Sequence, residues 1–178
     1  MIARLTLFTV ALGLASASVL AQDAPDPAAQ KAPAEAPATR PANDAKPSPD
    51  LEPEKVVRLI TEALSHNDEP APDAGIKLTF RFASPGNKEA TGPIERFIPL
   101  VKGEPYGIMI GAAAVDLGPS REGGDVYEQV VHVVSPEGRE QMFLFRLSRQ
   151  RGGEYDGCWM TEGVIPVEPD PLSMPQAV

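Results

Sequence analysis

Ile76-Lys77-Leu78-Thr79-Phe80-Arg81-Phe82-Ala83 is the stretch on which the fold turns. Ile76, Leu78, Phe80 and Phe82 alternate with Lys77, Thr79 and Arg81. Taken alone, that period of two describes a half-buried strand. The same residues also carry a helical face through Ile76, Phe80 and Ala83. Local pattern does not choose between the two. A strand would join the sheet that follows, whereas a helix would lie across it.

The flanking segments are helical. Upstream, Pro53 takes the favoured first position of a helix and Glu54 suits its dipole. Val56, Leu59, Ile60, Ala63 and Leu64 recur at helical spacing, so an amphipathic helix runs from Pro53 to about Ser65–Asn67. Pro70 and Pro72 prevent it from resuming. Downstream, Gly92 caps, Pro93 opens and Glu95 charges the first turn of a second short helix. Its stripe is Ile94, Phe97, Ile98 and Val101; Pro99 bends it and Gly103 ends it.

The second half reads as strands. Ile108–Leu117 is an apolar run punctuated by Gly107, Gly111 and Gly118, and Gly118–Asp125 is a polar loop. Val126–Val134 is rich in valine and suits a strand buried on much of both faces. Ser135-Pro136-Glu137-Gly138 is a turn. Gln141–Ser148 alternates, with Phe143, Phe145 and Leu147 on one side. Arg151-Gly152-Gly153 turns the chain into a last strand, Cys158–Ile165. Helices first and hairpin-connected strands after predict an α+β domain, with an antiparallel sheet carrying helices on one face.

Short helices followed by four meandering strands is the layout of the nuclear transport factor 2-like (SnoaL-like) α+β roll. Local words point further. Gly75–Phe82 running into Phe82-Ala83-Ser84-Pro85, Thr91-Gly92-Pro93-Ile94-Glu95-Arg96-Phe97, Pro105-Tyr106 and Gly157-Cys158-Trp159-Met160-Thr161 resemble a domain-of-unknown-function family within that roll. That family occurs in exported bacterial proteins and in some plant proteins, and the resemblance covers about His66–Val167. It implies that Ile76–Ala83 is a helix. Three N-terminal helices would then pack on a curved four-stranded antiparallel sheet, a cone-shaped roll enclosing a cavity. The family brings no established activity, so the resemblance assigns no functional residue.

The ends of the chain give an address. Arg4 is the only charge in Met1–Ala21; the apolar run Leu5–Leu14 follows it, and Val19-Leu20-Ala21 fits a small-x-small cleavage site. That order describes a cleaved signal peptide, residues 1–21, rather than a membrane span, so the protein is expected in the periplasm or outside the cell. No lipobox cysteine stands at the cleavage site. Residues 22–50 form an Ala/Pro-rich linker, and Gln22–Pro49 holds no Val, Ile, Leu, Met or aromatic residue, so it is expected to be disordered. Residues 51–166 make the roll domain. Residues 167–178 form a proline-rich tail, also expected to be disordered. A formal charge of −9 argues against nucleic acid, whose phosphates need Lys and Arg.

Chemistry has few places to sit. Cys158 is the single cysteine, so no internal disulfide forms, and it reads as a small buried hydrophobe unless a cationic neighbour activates its thiol. With only His66 and His132, no metal-ligand spacing is present, and no cofactor motif is found. His132, mid-strand among valines, is the candidate general base, with Glu128 or Tyr106 as partner. Glu128 and His132 share a strand face at roughly 13 Å, too far for a direct hydrogen bond. Arg146 on the next strand faces Glu128 or His132 as a cross-strand pair or contacts a ligand. Arg96 and Arg81 either reach an anionic ligand or pair with Glu95 or Asp73. Trp159 lines a ligand site or packs in the core.

Three functional readings follow. The leading one is a non-catalytic module that binds a small apolar ligand or another envelope protein, through the cavity or through an open sheet face where a second copy could pair. The alternative is a cofactor-free isomerase, dehydratase or hydrolase using a His/carboxylate pair in the cavity. A third reading makes the domain a spacer in the envelope.

Overall fold

A computed structural model describes residues 43–168. The expected signal peptide, linker residues 22–42 and tail residues 169–178 lie outside the described residues. Of the expected helix Ile76–Ala83, residues 76–81 are helical, as the family resemblance implied and the alternation did not, while Phe82 caps the helix and Ala83 bridges to Thr161. Helix α1 spans Pro53–Ser65 and α2 spans Ala74–Arg81, with Phe82 as its C-cap. Alternation misleads because Ile76, Leu78 and Phe82 are all buried in the helical geometry, and Thr79 is buried beside them. Gly75 makes the α1–α2 approach. A Cβ there would lie 2.0 Å from the Ala63 carbonyl oxygen, so only glycine fits. On α1 the buried stripe is Val56, Val57, Ile60, Ala63 and Leu64, with Val57 in place of the expected Leu59.

The described residues hold four α-helices, not the three expected. The additional α3, Pro85–Thr91, is short and buries nothing by itself, so it carries no apolar stripe. Its cap is legible afterwards: Ser84 Oγ accepts from the Asn87 N–H at 3.1 Å, and Pro85 opens the first turn. Gly92, at φ 82°, closes α3 rather than opening the next helix. Helix α4 is Ile94–Lys102, with Pro93 as its N-cap and Pro99 inside it.

The sheet differs from expectation at its first strand. Ile108 and Met109, expected in a strand, belong to a 3-10 turn over Tyr106–Met109 and are buried in the core. Strand β1 is Ala114–Gly123 and continues through residues expected as a loop. A bulge between Leu117 and Ser120 accommodates Pro119 on this edge strand, where a missing N–H costs nothing. Then follow β2 (Val126–Val134), β3 (Glu140–Arg149) and β4 (Trp159–Val167), giving one antiparallel meander in the order β1-β2-β3-β4. The fold is α+β with a four-stranded antiparallel sheet.

One sheet face meets the helices. Tyr127, Gln129, Val131 and Val133 of β2 are buried on it, with Phe143, Phe145 and Leu147 of β3 and Trp159 of β4. These share a core with α1, α2 and α4. Each large side chain so buried contributes about 1.5–3 kcal/mol. The expectation that β2 is buried on both faces is corrected: Val126, Glu128, Val130, His132 and Val134 are only half-buried on the other face.

The linker boundary is also corrected. Arg81 donates from one guanidinium nitrogen to the carbonyls of Asn43 and Ala45, both at 2.8 Å. Asn43 Nδ2 donates to the Glu69 carbonyl at 2.7 Å, and Ala45 and Leu51 pack on the core. Residues 43–50 are thus docked on the domain. No helix among the described residues is long and apolar enough to cross a membrane.

Candidate functional site

The site is built where β4 loses its regular alternation. Leu147 pairs with Thr161 and Arg146 with Gly163, so Glu162 is an extra residue without a partner. Such a bulge reverses which residues face inward and re-aims the side chains around it. Before it Trp159 and Thr161 face the core; after it Val164, opposite Phe145, does so. The link between α2 and α3 lies along this edge. Thr161 N–H donates to the Phe82 carbonyl at 2.8 Å, and Ser84 N–H donates to the Thr161 carbonyl at 2.9 Å. Asn87 Nδ2 reaches the same carbonyl at 3.1 Å. Both backbone groups of Thr161 are therefore satisfied.

Between this edge and the helices lies a cavity of about 390 Å³, within the range of sites that take small molecules. Its walls are mostly apolar, including Ile60 and Leu64 of α1, Phe97 and Val101 of α4, Met109, and Phe145 of β3. Ala90, Leu100 and Glu162 are exposed members of the lining and mark its mouth. The lining contains no Lys, Arg, His, Asp or Cys; its ionisable side chains are Glu162 and Tyr106. Most of its polar groups are directed at the protein. Tyr106 donates to the Val164 carbonyl at 3.1 Å, Thr79 to Gly75 at 2.9 Å and Thr91 to Asn87 at 2.8 Å. Glu162 accepts from Ser84 Oγ at 2.9 Å, Ser148 Oγ at 2.5 Å and Gln150 Nε2 at 3.1 Å. Thr161 is the exception, because its buried hydroxyl has no partner. The arrangement suits retention of an apolar body.

Of the six residues singled out from the sequence, Tyr106 alone lines the cavity. Its ring also stacks on Phe143, with centroids 6.1 Å apart. His132 lies on the outer sheet face, paired to Glu140 at 3.1 Å and level with Asp116 of β1. Glu128 lies on that face too, 18% exposed, between Arg121 at 2.5 Å and Arg146 at 3.8 Å. Arg146 is therefore a cross-strand ion-pair partner, not a cavity residue. The expected His132/Glu128/Tyr106 constellation does not converge, because the sheet separates its members.

Trp159 is 2% exposed in the core, flanked by Tyr127 and with the Arg149 guanidinium 5.2 Å from its ring. Arg96 is exposed on α4 and pairs with no described acidic residue. Arg81 holds the docked segment instead of a ligand, and Asp73 pairs with Lys102 at 2.6 Å. Cys158 is buried, and burial, aided by Asp156, pushes its thiol up and away from reactivity.

Sequence reasoning passed over Thr161, Glu162, Asn87 and Ala90. The β4 bulge has no local signature, and α3 lacks the apolar stripe that announces a helix. The available signal was Ser84-Pro85, a cap and first-turn pair. No family model, curated protein or solved structure matches this chain.

Proposed function

We propose that this chain is an exported, non-catalytic module that binds a small apolar molecule in the cavity beneath its helices. The leader-like order of Met1–Ala21 supports export. The helices-then-meander order supports an α+β roll of the nuclear transport factor 2-like kind, its sheet curved into a cone around the cavity. The observation that carries the reading is the cavity itself: about 390 Å³, apolar-walled and free of basic side chains. The separation of His132 and Glu128 from that cavity leaves the catalytic alternative without a constellation.

The test uses N-phenyl-1-naphthylamine, a neutral fluorophore that brightens in apolar surroundings. Saturable brightening is expected with the native protein. Loss is expected with Ala90→Trp, which fills the mouth from an exposed position. Circular dichroism and melting check that the variant is folded. A native protein that never brightens the probe, or an Ala90→Trp protein that binds it as well, overturns the reading.

The outer sheet face supports an additional role in self-association. Val130, Leu144 and Ile165 stand in register across three strands, and Ile165 is 49% exposed. An apolar row in the middle of an open sheet face favours covering by a second copy.

A further inference from the structure

We propose that the cavity takes an amphiphile with an apolar body and a protonated amine head, and that Glu162 holds the head at the mouth. This rests on the cavity reading above and names its ligand class. Glu162 is exposed, and the lining offers no cationic side chain to meet it. Among the described residues, no Lys, Arg or His lies within ion-pair distance of its carboxylate. Its hydrogen-bond partners are all neutral. Ser84 donates to Oε2, and Ser148 and Gln150 donate to Oε1. A carboxylate offers about four lone-pair positions on its two oxygens. Oε1 is filled by its two donors, and Oε2 keeps one position open.

That oxygen borders open space. Gly86 also lines the cavity and is exposed. Beyond its chain neighbours and its own helix, a Cβ on Gly86 would have two atoms within 4 Å: Glu162 Oε2 and Ser84 Oγ, each at 3.9 Å. Ser84 Oγ is already engaged, accepting from the Asn87 N–H and donating to Glu162. Oε2 is therefore the acceptor that a group seated over Gly86 meets. An ammonium there donates one N–H to Oε2 and keeps its other N–H groups in water, so its charge is not stripped of solvent. Its alkyl chain lies inward against Leu64, Phe97 and Phe145. A carboxylate head has no proton to donate and meets a like charge.

The experiment displaces N-phenyl-1-naphthylamine from the full chain, at neutral pH, with octylamine, octan-1-ol and octanoate, which share one apolar body. Octylamine is expected to compete about two- to fivefold better than octan-1-ol, the worth of an ion pair open to water on one side. Octanoate is expected to compete worst. Added salt should shrink the amine's advantage. A formal charge of −9 attracts any cation, so the local carboxylate is tested separately. Glu162→Gln should bring octylamine down to octan-1-ol and leave octan-1-ol unchanged. The salt titration decides on the native protein if that variant does not fold. The proposal is overturned if octan-1-ol or octanoate competes as well as the amine, if salt leaves the advantage intact, or if the advantage survives in folded Glu162→Gln. The cavity reading then still stands, because the probe is displaced. If neither the probe nor any competitor binds the folded protein, the cavity reading falls as well, so the two failures are told apart.

Discussion

At the scale of single residues, Thr161 holds a buried hydroxyl that is unsatisfied inside the protein, which costs stability. Thr161→Val keeps the shape and removes the orphan. It is expected to raise the unligated protein's stability by about 1 kcal/mol in urea unfolding at unchanged slope. Gly75 shows the opposite case. A methyl group 2.0 Å from the Ala63 oxygen has nowhere to go. Gly75→Ala is therefore expected to cost about 3 kcal/mol or more, read from the same unfolding curves. Arg81 contacts no ligand-facing surface and does not pair with Asp73; its two carbonyl bonds hold residues 43–45 on the domain. Arg81→Ala should free that segment for limited proteolysis while leaving the rest of the domain protected.

Among the elements, the most consequential joints are those at which helices meet one another and β4. Asp73 precedes α2, and Lys102 lies in the last turn of α4, so their 2.6 Å pair ties the start of one helix to the end of another. The Lys102 ammonium, with the Asn67 amide behind it, holds the Asp73 carboxyl below its ordinary value of 3.8. A carboxyl lowered in the native state contributes stability that is fully present above its ordinary value. That contribution is lost as pH falls through the lowered one. Lys102→Met should move the Asp73 midpoint, followed by carbon-detected NMR titration, up towards 3.8. An unmoved midpoint would show that the ion pair is not the cause. Ser84 joins two elements, capping α3 and donating to Glu162 of β4. Ser84→Ala should cost about 1 kcal/mol as a lost cap.

At the scale of the whole molecule, the sheet divides two kinds of surface: an apolar cavity on the helical side and an open face bearing the Val130, Leu144 and Ile165 row. Light scattering is expected to give a dimer that Leu144→Glu converts to a monomer; a native monomer at high concentration removes the idea of pairing through this face. The same division explains how the sequence succeeded and failed. Composition and period determined the α+β class, α1, β2 and most of β3, because each buries one continuous stripe against the core and the stripe repeats at the period of its element. Helix α2 was legible only through resemblance, since Ile76, Leu78 and the C-cap Phe82 find burial whichever period is assumed. The tertiary structure alone decided that His132 turns away from the helices and that Thr161 and Glu162 meet at one cavity. A strand's alternation states that its two faces differ but not which one the helices will cover. A one-residue bulge, stabilised by pairing across strands far apart in sequence, then resets the alternation without leaving a local trace.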